Sequence, residues 1–100
     1  MKNGVALIAK ERLKQIEKYG FTVQHYENNP ELYHKKQLQQ CAVSLLVHEL
    51  PSYGEADKHI PEGWNQDWFI KMTKKPLLER LIIAGALIAS EIDRIEKINQ

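Results

Sequence analysis

Apolar residues recur at helical spacing along three stretches of this chain, and the last is the longest and most apolar. In Pro76 to Ile98, Leu78, Leu81, Ile82, Gly85, Ile88, Ala89, Ile92 and Ile95 fall on one face at 3.6 residues per turn. Ile83 and Leu87 point to the opposite side. From Leu81 to Ala89 the stretch is apolar all round, a pattern that predicts a core helix buried on more than one side. Pro76 suits the first helical position, where its missing N–H costs nothing. Glu79 and Lys97 stand near the ends that the helix dipole favours for them. The apolar run is closed by Glu79 and Arg80 before it and by Glu91 and Asp93 after it. It falls short of the roughly 20 apolar residues a bilayer span needs. Gly85, a weak helix former, is expected to mark the close approach of another helix.

The first stretch carries Val5, Ile8, Ala9, Arg12, Leu13 and Ile16 at helical spacing. Asn3 before it is a ready N-cap, and Gly20 with Phe21 after it forms a stop signal. A helix is therefore predicted over Gly4 to Tyr19, with its lysines and glutamates on a solvated face. Residues 21–29 read as a connecting loop. Asn29-Pro30-Glu31 reads as the start of a second helix, with Leu38, Cys41, Ala42, Leu45 and Leu46 as its apolar stripe and Pro51 as its stop. Asn65 to Met72 is predicted to form a short helix. Its flank and body hold Trp64, Trp68, Phe69 and Met72, which are suited to cover Ile83 and Leu87. Alternation of the strand type persists nowhere. The expected fold is all-α: a single domain with three main helices and one short aromatic helix.

Composition narrows the function more than it defines it. One hundred residues with 43% hydrophobic and 27% charged content are those of one ordinary globular domain. The net charge of +1 and the isolated pairs Lys35-Lys36 and Lys74-Lys75 give no nucleic-acid footprint. One cysteine, Cys41, and an N-terminus without a signal pattern point to a cytoplasmic protein with no intrachain disulfide. Cys41 lies in an apolar stripe and reads as a core thiol. His48-Glu49 invites a zinc-protease reading, but Leu50-Pro51-Ser52 follows and the second histidine is missing. No glycine-rich phosphate loop occurs.

The polar residues left for a site are Glu11, Arg12, His25 and Glu91. They are expected to share one pocket at the edge of the core. Carboxylates on facing helices can hold magnesium or manganese, which makes Glu91 and His25 weak metal candidates. The plainer reading is an ion pair between Arg12 and Glu91, with His25 serving as a loop cap.

Two resemblances extend this reading. Glu11, Arg12, Gln15, Ile16, Gly20, Phe21 and His25, together with Ala84 to Ile88 and Glu91 to Ile95, resemble the pattern of a group of small phage and prophage proteins. Trp64 and Trp68 before Pro76 also look like that group's approach to its last helix. Where the group carries an acidic cluster in the first loop, this chain keeps only His25 and Glu27. The resemblance implies a phage- or mobile-element-type accessory protein acting through protein contacts. A looser similarity is to the all-α nucleotide pyrophosphohydrolases, which would imply Mg2+ on paired carboxylates; Asp93 and Glu96 have one such spacing. Finally, Ile83 and Leu87 on the back of the last helix suggest a homodimer through that face.

Overall fold

A computed structural model describes residues 3–47 and 60–98, and the described residues form an all-α fold. Helix α1 spans Gly4–Tyr19, α2 spans Val23–Asn28, and a 3-10 turn covers Pro30–Leu32. Helix α3 spans Gln37–Val47, α4 spans Gln66–Thr73 and α5 spans Leu77–Ile98. The long helix α5 is the centre of the fold: it packs against α3, α1 and α2, while α4 packs on α3. His48-Glu49 and the stop expected at Pro51 lie outside the described residues.

Helix α1 has the predicted bounds. The Asn3 side chain accepts from the Ala6 N–H at 2.9 Å. At the other end Gly20 takes φ +70°, the left-handed conformation that glycine adopts without strain, and its N–H returns to the carbonyls of Gln15 and Ile16. The short helix expected over Asn65 to Met72 is α4, with Asn65 as its N-cap, accepting from the Trp68 N–H at 2.8 Å.

Two expectations about where helices begin and end are corrected. Residues 21–29 hold the short helix α2 rather than a simple loop. Thr22 caps it by accepting from the His25 N–H, a signal that the apolar pattern does not register. The second helix does not run on from Pro30. It breaks after Leu32 and restarts at Gln37, with Lys36 at φ +66°. The fully buried Gln37 side chain stabilises the break. It accepts from the Lys35 N–H at 2.7 Å and donates to the Glu31 carbonyl at 2.9 Å and the Glu62 carbonyl at 3.4 Å. One amide thus replaces the helical hydrogen bonds that the turn gives up.

The face that α5 buries differs from the one its pattern suggests. Ile83, Ala84, Ala86, Leu87, Ser90 and Glu91 are buried, and so is Arg80. Leu77, Leu78, Leu81, Ile88, Ile92 and Ile95 are between 41% and 65% exposed. The buried side is rich in small residues, and so are the Cys41 and Ala42 positions of α3 in the same core. Arg80 is drawn in because its guanidinium donates to the Leu45 carbonyl at the end of α3 and to the Lys75 carbonyl, both at 2.9 Å. A wheel that weighs size and apolarity alone misses a close-packed face made of alanine, serine and paired charges. Ile83 and Leu87 are therefore covered within the chain, chiefly in the core shared with α3, and cannot be a dimer surface. Gly85 does mark the close approach of α1: a Cβ there would stand 2.7 Å from Ile8 Cδ1.

Candidate functional site

The expected pocket of Glu11, Arg12, His25 and Glu91 is divided among three places. Arg12 and Glu91 belong to a polar network where the end of α1, α2 and α5 meet. The Arg12 guanidinium donates to the Phe21 carbonyl at 2.8 Å and pairs with Asp93 Oδ2 at 3.0 Å. The Tyr26 hydroxyl donates to the same Phe21 carbonyl at 2.9 Å and accepts from the Ser90 hydroxyl. Glu91 is 3% exposed and bonds Arg94 Nε through Oε1 at 2.5 Å, whereas its buried Oε2 has no partner among the described residues. The ion pair expected between Arg12 and Glu91 is replaced by Arg12–Asp93 and Arg94–Glu91. Burial pushes the Tyr26 hydroxyl up to about 12, an effect that nearby Arg12 reduces. This network ties the α1–α2 corner to α5 and leaves Asp93 committed to Arg12.

Glu11 lies elsewhere, in a groove with Lys14, Lys18, Lys71, Lys75 and Glu79. Four ammonium groups against two carboxylates make this groove basic, a feature that sequence spacing hides because the lysines come from three segments.

His25 is the corner of a third region. Its Nδ1 lies 2.6 Å from the Tyr33 hydroxyl, and the two rings meet edge to face at 5.5 Å. Tyr19, Phe21, Tyr33, Trp64 and Trp68 continue the wall, with ring centroids 5.6 to 6.4 Å apart. They enclose, with Leu32 and Asn65, an open pocket of about 360 Å³. The pocket is built from distant parts of the chain. The turn at Gly20 delivers Phe21, and the break after Leu32 delivers Tyr33. Trp64 is fixed by its indole N–H, which donates to the Leu32 carbonyl at 2.8 Å. Gly63, at φ +84°, lets the chain pass Leu32, where any Cβ would come within 2.8 Å of Leu32 Cδ2.

Sequence reasoning singled out both tryptophans but assigned them to covering α5. The ring of aromatics became visible only with the α2 corner and the 3-10 turn in place. Glu91 and His25 are not brought to one site, and among the described residues no three His, Cys, Asp or Glu side chains cluster to hold a metal ion. Cys41 is fully buried, and that burial raises its thiol well above the ordinary range. No helix among the described residues is long and apolar enough to cross a membrane. No protein-family model, curated protein or solved structure matches this chain.

Proposed function

We propose that the chain is a small contact protein, of the accessory type found in phage and mobile elements, that works by docking the exposed face of α5. The observation that carries this reading is the stripe of Leu77, Leu78, Leu81, Ile88, Ile92 and Ile95 on the longest helix. Together these side chains present on the order of 500 Å² of apolar surface, at the upper range of the largest patch on a typical monomer. The first partner is a second copy. Leu78 and Leu81 near one end of the stripe and Ile92 and Ile95 near the other are each three residues apart, so the order reads the same in both directions. Two copies of α5 set antiparallel about a two-fold axis would bring Leu78 to the partner's Ile95 and Leu81 to the partner's Ile92. With its polar rim such a contact approaches the roughly 800 Å² per partner of a standard interface. The resemblance of both ends of the chain to small phage and prophage proteins supports an accessory role of this kind.

Cysteine cross-linking tests the pairing. With Cys41 buried, the double variant Leu81→Cys, Ile92→Cys should form a disulfide-linked dimer under mild oxidation. Leu81→Cys alone should not, because its equivalent lies opposite position 92 of the other copy. Equal cross-linking by the single variant, or none by the double, counts against this arrangement.

A further inference from the structure

The aromatic pocket is independent of the α5 stripe, and its chemistry is specific. Its wall is made of rings from four separate segments, held by the Trp64–Leu32 bond and by edge-to-face contacts, and it is preformed. No charged side chain lines it. A volume of about 360 Å³ suits a small molecule, within the usual size range of ligand pockets. Uncharged aromatic walls disfavour a strongly hydrated ion and favour a flat ring that can stack or meet an edge.

The His25–Tyr33 pair sets the orientation. Tyr33 is 2% exposed, and the one acceptor within reach of its hydroxyl proton among the described residues is His25 Nδ1, at 2.6 Å. Nδ1 therefore accepts, and the neutral imidazole carries its proton on Nε2. His25 is half-buried at the pocket wall, and Nε2 has no partner among the described residues. The site thus offers an apolar slot with an N–H donor at His25, while the indole N–H of Trp68, on the same wall, is buried without a partner among the described residues.

We infer that this pocket binds a neutral planar heteroaromatic molecule that presents one ring acceptor to His25 Nε2–H while its faces and edges pack against Trp64, Trp68, Tyr19 and Phe21. The order of the rings serves the apolar contact, and the Tyr33–His25 bond serves selectivity by holding the tautomer.

The test uses isoquinoline and naphthalene, two rings of one shape that differ by a single acceptor nitrogen, at mildly alkaline pH where isoquinoline is neutral. The chain has two tryptophans and both line the pocket, so their indole N–H signals in a nitrogen–proton correlation spectrum read occupancy directly. Both probes should shift those signals. The wild-type protein should bind isoquinoline about five- to tenfold more tightly, the worth of one net hydrogen bond. In His25→Phe, which keeps a ring but removes the donor, naphthalene should become the tighter ligand. Equal affinities or a naphthalene preference in the wild type overturns the donor assignment, and indole signals that neither probe moves overturn the site. The wild-type comparison decides the matter even if the variant fails to fold.

Discussion

Replacing Gly85 by leucine tests the contact on which the α1–α5 packing rests. A Cβ at this position would stand 2.7 Å from Ile8 Cδ1 and 3.0 Å from Ile8 Cγ1. The Cδ1 methyl can turn away, but Cγ1 sits closer to the backbone and must move with the helix. Leucine adds three further carbons beyond that Cβ. Leucine favours the helix interior over glycine by roughly 0.8 kcal/mol, whereas overpacking costs about 1–3 kcal/mol and sometimes more. The net expectation is a loss of roughly 0.2–2.2 kcal/mol, which for a domain of this size lowers Tm by roughly 1–18 °C. Thermal unfolding followed by circular dichroism measures it. Ile8→Ala in the same chain supplies the control, because it vacates the space that the introduced leucine needs. The double variant should be more stable than the sum of the two single losses by about 1 kcal/mol, a coupling that only neighbouring side chains show. An unchanged or raised Tm in Gly85→Leu, or simple additivity with Ile8→Ala, would refute the close approach.

Two further outcomes follow from the buried polar groups. Arg80→Met keeps much of the apolar stem but leaves the Leu45 and Lys75 carbonyls without their guanidinium donors; it should cost about 2–3 kcal/mol by urea unfolding, and an unchanged midpoint would contradict the bridging role. The Tyr26 hydroxyl, pushed up to about 12 by burial, titrates later in the folded chain than in the unfolded one near 10. Its contribution is therefore fully present below about pH 10 and is lost as pH rises toward about 12, on the order of 2–3 kcal/mol. Unfolding midpoints across that window should fall in the wild type and fall less in Tyr26→Phe; parallel curves would show that Tyr26 is not the group.

The fold was legible where one local signal decides an element. Asn3 and Gly20 bound α1, because a cap is a short-range hydrogen bond that the residue types announce. The break before Gln37 was not legible, since it depends on an amide reaching Glu62, far along the chain. The buried face of α5 was misread for a related reason. Arg80 and Glu91 look like closing charges until Leu45 and Arg94 are seen to take them. For the polar residues, the pattern singled out Arg12 and Glu91 but paired them with each other, whereas their partners are Asp93 and Arg94. The aromatic pocket combines residues from α1, the α2 corner, the 3-10 turn and α4, and periodicity within one helix cannot reveal such a convergence.

The α5 stripe is the central functional claim, and sedimentation equilibrium at micromolar concentrations tests it most directly, on the wild type and on Leu81→Glu with Ile88→Glu. Both residues are 43% exposed, so two carboxylates should leave the fold intact by circular dichroism. The wild type should sediment as a dimer and the double variant as a folded monomer. A wild type that stays monomeric at high concentration, or a double variant that remains dimeric, would contradict the account.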